Sequence, residues 1–303
     1  MAAKVWLDTD IGTDVDDAVA LTLALLSPEI ELVGVSTVYG DVALRSRMVL
    51  KMLALGGRSS IPVYSGCERP LLNERPVYWA GHEGVGLLGP EDAGLTPQPG
   101  HAVEAILRAA EQYAGELVLV SIGPMTNIGM AFAQRPGLAK QVKLLLIMGG
   151  AVRASRTGLA LPLAEHNFRS DPEAASIALR SGAPTVVVPL DVTTQVQITA
   201  DAVSRLKAVG DGLRRALADQ LDVYLTRMGR AWTHMHDPLA LSHAIRPGLL
   251  TLEKCEVQVE TRSEIAAGAT WVRLSEGAQT QVALGVERVA FEQFLLERLT
   301  ASG

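Results

Sequence analysis

The sequence holds two cysteines, Cys67 and Cys255, far apart and outside any Cys-x-x-Cys pairing. That excludes a disulfide framework and a cysteine-built zinc site, and it suits a reducing compartment. A positive surplus is also missing. Against 33 Asp and Glu stand 27 Lys and Arg, a net charge of −6, which argues against general nucleic-acid binding because that needs a basic face. No apolar run approaches the roughly 20 residues of a membrane span. The opening MAAKVWLDTD carries one Lys and passes directly into a strand-like run, so no signal peptide is expected. Repeats, low-complexity segments and linkers are absent, so a single domain over 1–303 is expected. What is present is 48% apolar and 20% charged residues, the balance of a globular chain. The expectation is a cytoplasmic protein with an acidic site for a small molecule or metal.

Short apolar, β-branched runs alternate with longer helical patterns. Strands are predicted at 4–8, 31–38, 116–123, 143–150 and 184–191, and helices at 16–27, 43–56, 124–134 and 171–181. Such alternation implies an α/β fold with a mostly parallel central sheet and helices on both faces. Residues 67–100, rich in Gly and Pro, read as a long functional loop. Residues 200–246 read as mainly helical, and 252–290 as a small antiparallel addition before a final helix.

In open parallel sheets, ligands bind beyond the carboxyl ends of the strands. After the first predicted strand comes DTDIGTDVDD (8–17), in which five of ten residues are Asp. YGD (39–41), GPMTN (123–127), GG (149–150) with AEHN (164–167), and HMHDPLAL (234–241) follow later elements. Two like charges about 4 Å apart repel by roughly 1 kcal/mol in water and about 4 kcal/mol at an effective dielectric near 20. Asp16 and Asp17 at a helix start gain about 0.3–1 kcal/mol each from the helix dipole, which explains a pair but not the whole cluster. A bound cation does explain it, and all-oxygen ligands at irregular spacing suit Ca²⁺ better than Mg²⁺.

Three acidic motifs compete. An EF-hand loop fails, because Gly12 stands at a ligand position and Val19 where the closing Glu belongs. A haloacid-dehalogenase phosphatase signature, D-x-D-G-T, is interrupted by Ile11, and no lysine sits in an obvious site loop. Glycine-rich dinucleotide and P-loop patterns are absent from the first turn. The third candidate fits best. DTDIGTDVDDAVAL resembles the N-terminal signature of the inosine–uridine-type nucleoside hydrolases. SIGPMTNIGMA (121–131), IMGGA (147–151), AEHNFRSDPEAA (164–175) and HDPLAL (236–241) resemble later family segments in the same order, and GHEGVGLLGP (81–90) does so more loosely.

The resemblance implies a Rossmann-like nucleoside hydrolase fold and hydrolysis of the N-glycosidic bond of ribonucleosides, in nucleoside catabolism and salvage. It implies a Ca²⁺ held by Asp10, Asp17, the Ile122 carbonyl and Asp237. Asp10 would also be the general base. Asp16 and Asp41 would meet ribose hydroxyls, Glu165 and Asn167 the sugar, and His82 the 5′ side. His236 would assist departure of the base; apart from the resemblance, Trp232 is expected either to stack on that base or to pack in the fold. A homodimer or homotetramer with no nucleic-acid or membrane partner is implied as well. The chemistry is coherent: cleavage through an oxocarbenium-like state suits carboxylates, and a histidine suits the leaving base. Two other functions stay open from the residues alone, a Mg²⁺-dependent phosphatase and a non-catalytic ribose- or nucleoside-binding protein.

Beside these, Asp8 is expected to support the site and Asn127 to bond internally within its turn. His166 and His234 are expected at the rim, Met125 and Met130 in the core, and Trp79 either on a base or in packing. The signature is two residues longer than usual and adds Asp14. Asp41 stands where many members have Asn, and Leu159 where many have an Asn facing the 5′-hydroxyl, which predicts a more apolar 5′ pocket.

Overall fold

The near-continuous apolar runs do form strands, and their order places a crevice at one end of the sheet. The computed structural model describes residues 2–73, 75–152 and 163–301; Leu159 lies outside them. The strands are β1 Ala3–Thr9, β2 Ile30–Thr37, β3 Val63–Ser65, β4 Leu117–Ser121, β5 Val142–Met148, β6 Thr185–Val188, β7 Gln197–Thr199, β8 Trp232–His234, β9 Leu250–Val259, β10 Thr270–Leu274 and β11 Thr280–Val286. The helices are α1 Asp16–Leu25, α2 Val42–Leu55, α3 Ala102–Gln112, α4 Thr126–Gln134, α5 His166–Ser170, α6 Pro172–Leu179, α7 Leu190–Thr193, α8 Ala200–Val209, α9 Gly212–Met228, α10 His236–Ser242 and α11 Arg288–Thr300.

One sheet runs in the order β10-β9-β11-β6-β5-β4-β1-β2-β3, and β7 pairs separately with β8. From β3 to β6 all pairings are parallel, and β11 continues the parallel block on β6. Among the described strands of this sheet only β9, between β10 and β11, runs against the common direction. The antiparallel addition near the C-terminus is therefore present, but its last strand belongs to the parallel set. The stretch 200–246 is helical except for β8, which takes Trp232 out of the expected helix and into a strand.

Side chains alternate across the sheet, so each central strand feeds two cores. Val5, Leu7, Val118, Val120, Leu146 and Met148 pack beneath α1, α2 and α8–α11. Trp6, Leu117, Leu119, Leu145 and Ile147 pack against α3, α4 and α6. Burial on both faces explains why these strands carry no polar alternation. Met125 is fully buried as expected, whereas Met130 is 38% exposed on the outer side of α4, its sulfur 3.3 Å from Cys67 Sγ.

Helices α4 and α6 touch at Gly129. A methyl group added there would lie 2.7–2.9 Å from the Cα, Cβ and carbonyl oxygen of Ala174. Helix propensity alone favours Ala over Gly by about 1 kcal/mol. Close packing reverses that preference: Gly129→Ala is expected to destabilise by about 1–3 kcal/mol, the usual cost of overpacking. Urea unfolding would check this, and a stabilised variant would contradict it. Among the described residues no helix is long and apolar enough to cross a membrane.

Candidate active site

In this strand order β1 leads to β2 on one side and has β4 on the other, so the loops leaving β1 and β4 diverge. That switch point is where an open α/β sheet makes its crevice. A cleft of about 350 Å³ opens there, lined by Asp10, Asp14, Asp16, Asp17, Ile122, Glu165, Asn167, His236 and Asp237, with Thr13, Tyr78, Met148, His166, Leu190, Tyr224 and Met228.

The carboxylates come from three elements. Asp10 follows β1, Asp16 and Asp17 open α1, and Asp237 is the second residue of α10. Neither Asp16 nor Asp17 caps its helix; the N-cap is Val15, without a side-chain cap. One oxygen from each of Asp16, Asp17 and Asp237 lies within 4.8 Å of the others. Asp16 Oδ2 accepts the Asp237 amide at 3.1 Å, and Asp17 Oδ1 accepts the Thr9 hydroxyl at 2.5 Å. Burial first, and mutual repulsion second, push all three carboxyls well above their ordinary range. These groups must therefore share protons or share a cation. The all-oxygen donor set and the enclosed geometry fit a hard divalent ion. Asp16, expected at the ribose, stands among the converging carboxylates.

Asp10 is 5% exposed. Its Oδ2 lies 3.9 Å from His166 Nε2, and that imidazole touches the rings of Tyr39 and Tyr78 edge-on. Gly123 lets β4 approach: a Cβ there would sit 2.8 Å from Asp10 Oδ1 and 2.9 Å from its amide nitrogen. Asn167 donates from Nδ2 to the carbonyls of Ile122 at 3.0 Å and Met148 at 3.1 Å, tying the ends of β4 and β5 together. Glu165 caps α5, accepting the amides of Asn167, Phe168 and Gly150 at 2.7–3.1 Å. Its carboxylate thus holds Asn167 in place.

His236 Nδ1 lies 2.7 Å from Thr193 Oγ1. Burial, reinforced by neighbouring His234, pushes its pKa down to about 3. Asp14, the extra charge of the long loop, lines the cleft. It accepts the Val15 amide at 2.6 Å and bonds the Tyr224 hydroxyl. Burial raises its pKa. Below the cleft, Asp8 Oδ1 is bonded by Ser36 and by Asn127 Nδ2, and burial pushes its pKa up to about 7. Asn127 also donates to Thr37 O and accepts from the Cys67 amide; rather than bonding within its own turn as expected, its amide ties together β1, the end of β2 and the segment at Cys67.

Three expected substrate contacts lie away from the cleft lining. Asp41 caps α2 by accepting the Leu44 amide at 2.8 Å and is exposed. His82 packs behind Tyr224, ring centroids 6.3 Å apart, and among the described residues neither ring nitrogen has a hydrogen-bond partner. Trp232 packs its ring against His234 at 4.9 Å. In each case a local partner claims the side chain: a helix amide for Asp41, an aromatic ring for the other two. Trp79 lies over Arg45, 5.0 Å from ring centroid to guanidinium carbon.

Arg45 itself is absent from the expected set. It is fully buried, and it donates to the carbonyls of Tyr39, Asp10 and Ile11 and to Thr13 Oγ1. Its signal was a charge at the centre of the apolar stripe Val42, Met48, Val49 and Met52 of α2.

Comparison with known proteins finds relatives along nearly the whole chain. The family model described as inosine-uridine preferring nucleoside hydrolase matches residues 5–293. A pyrimidine-specific ribonucleoside hydrolase of Salmonella enteritidis is 34% identical over 312 residues, with 99% of each chain covered. Among solved structures, a plant nucleoside hydrolase superposes with a TM-score of 0.89 at 30% identity, covering 99% of this chain and all of its own. A purine-preferring ribonucleoside hydrolase from Gardnerella vaginalis gives 0.86 at 30% identity, with 98% of each chain covered.

Proposed function

The chain belongs to the inosine-uridine preferring nucleoside hydrolase family, whose members act on N-glycosyl bonds, and from that membership we propose that it hydrolyses ribonucleosides to ribose and free base with the help of Ca²⁺. The observation that carries this reading is the convergence of Asp16, Asp17 and Asp237 beside Asp10 in the cleft at the sheet's switch point. Asp10, Asp16, Asp17, Asp237 and the Ile122 carbonyl are the groups that would hold the ion. When bound, a divalent cation lowers the pKa of water and anchors the ribose diol.

The residues of the chain supply the rest. Asp10 takes the proton of the attacking water as oxygen bonds to C1′. The glycosidic bond breaks with its electron pair passing to the base nitrogen, which takes a proton from solvent water, while Asp10 returns the proton it removed to solvent. The carboxylates stabilise the positive charge that develops on the sugar. Asn167, braced by Glu165, sets the floor on which the sugar rests. His236 stays neutral near pH 7, so it aids the leaving base as a hydrogen-bond donor rather than as an imidazolium. That role requires the tautomer with its proton on Nε2, in which Nδ1 accepts from the Thr193 hydroxyl 2.7 Å away. Tyr78, Tyr224 and Met228 offer the apolar surface that a base requires. We place the enzyme in the cytoplasm as a homodimer or homotetramer; exposed Trp271 and Leu274 on edge strand β10 support self-association.

A panel of purine and pyrimidine ribonucleosides, assayed for free ribose with and without a chelator, tests the reading. Release that stops on chelation and returns with Ca²⁺ is expected. Turnover of p-nitrophenyl phosphate instead, or tight ribose binding without any turnover, would replace it with a phosphatase or a binding protein.

A further inference from the structure

We infer that Arg45 is a positioning residue for the cation site: it ties the enlarged carboxylate loop into the shape that binds the ion. The inference rests on reading the cleft as a cation site.

A buried guanidinium is costly unless its donors are satisfied. Arg45 is fully buried, and Trp79 roofs it. Nε donates to Tyr39 O at 2.6 Å, one terminal nitrogen to Asp10 O and to Ile11 O at 2.7 Å, and the other to Thr13 Oγ1 at 3.0 Å. Three of these acceptors belong to consecutive turns of the loop between Asp10 and Asp14, and the fourth to Tyr39, whose φ is +67°. A second anchor, Glu83, accepts from Thr13 Oγ1 and from the amides of Ala80 and Gly81. Arg45 therefore joins the acidic loop, the turn after β2 and the 79–83 wall. A planar fork with several fixed donors suits this task, and an ammonium does not.

The inference has a sign that plain electrostatics would reverse. Arg45 is a positive charge near a site for a positive ion, so as a bare charge its loss would tighten binding. As a tether, its loss strips donors from three buried carbonyls and the half-buried Thr13 hydroxyl, lets the loop rearrange, and weakens binding.

The experiment is calorimetric titration of chelator-treated protein with Ca²⁺, for wild type, Arg45→Met, Arg45→Lys and Thr13→Val, with circular dichroism to confirm folding. Arg45→Met is expected to raise the Ca²⁺ Kd by about 10- to 100-fold, the usual effect of removing a group that orients metal ligands. Arg45→Lys keeps the charge and part of the bonding, so its Kd should fall between those two. Thr13→Val leaves the charge of Arg45 intact, and should weaken binding by about 3-fold or more through loss of the hydroxyl's two hydrogen bonds, from Arg45 and to Glu83; it decides the matter if Arg45→Met does not fold. Unchanged or tighter binding in the folded variants overturns the inference alone. A wild-type protein that takes up no Ca²⁺ overturns both the inference and the cation reading beneath it.

Discussion

Asp10→Asn is expected to lower kcat for ribose release by about 10³-fold, within the range of 10²–10⁴ that a positioned general base supplies. The substitution is nearly isosteric, so the fold and the cleft should survive. What changes is chemical. An amide neither takes the water proton nor offers the charge that stabilises an oxocarbenium-like sugar. Asp10 is also the carboxylate nearest His166, with 3.9 Å between Oδ2 and Nε2. Its backbone carbonyl is held by Arg45, so the loop keeps its path when the side chain is altered. KM should move less than kcat, because Asp16, Asp17, Asp237 and the Ile122 carbonyl would still hold the ion that anchors the ribose, and Asn167 and the wall residues still receive the substrate. Steady-state kinetics on the preferred nucleoside, with circular dichroism as the folding control, would measure this. A kcat within tenfold of wild type would remove Asp10 from the role of base.

Much of this site was legible before any coordinates, and the reasons are physical. A parallel sheet covered on both faces needs uninterrupted apolar strands, so β1, β2, β4, β5 and β6 stand out, and the loops at their carboxyl ends list the carboxylates. Eight of the eleven residues expected at the site line one cleft. Asp41, His82 and Trp232 do not, because sequence position reports which end of a strand a residue follows, not which neighbour claims its side chain. Asp41 satisfies a helix amide, as its place just before α2 would have suggested. The three-residue strands β3, β7 and β8 carry too few positions for a period, and β8 is embedded in a helical stretch. Asp14 is surplus to the family signature in the sequence, but only packing shows that it pairs with Tyr224 of α9. Arg45 shows the converse case. Its inward position on α2 was readable from the helical period, and a lone charge on an apolar stripe signals a buried network to be sought.

Removing the cation should make stability fall as pH rises, and Ca²⁺ should restore more of it at pH 8 than at pH 5. In the cation-free protein Asp16, Asp17 and Asp237 have carboxyl pKa values well above the ordinary range, chiefly through burial. Unfolded, the same groups ionise near pH 4. Between that point and the raised native values, the native state binds more protons than the unfolded one. The slope of unfolding free energy with pH is then negative, about 1.4 kcal/mol per pH unit for each proton retained. Below roughly pH 6.5 the histidines act in the opposite direction, since His234, His236 and His243 have lowered pKa values and the unfolded chain protonates first. The decisive quantity is therefore the difference between chelated and Ca²⁺-loaded protein at each pH, in which the shared histidine contributions largely cancel. An ion that binds only ionised carboxylates must displace whatever protons they hold, and they hold more of them at pH 5 than at pH 8. At a free Ca²⁺ concentration 100-fold above Kd the stabilisation is about 2.7 kcal/mol, or about 4 °C in Tm for a chain of this length. Asp8, below the ligand set with its pKa near 7, keeps its own proton under both conditions at pH 5 and contributes a fall in stability up to about pH 7 that Ca²⁺ does not abolish. Differential scanning calorimetry at pH 5 and pH 8, with chelator and with Ca²⁺, reads all of this. A Ca²⁺ increment that is larger at pH 5 would mean that the three carboxylates are not the groups receiving the ion.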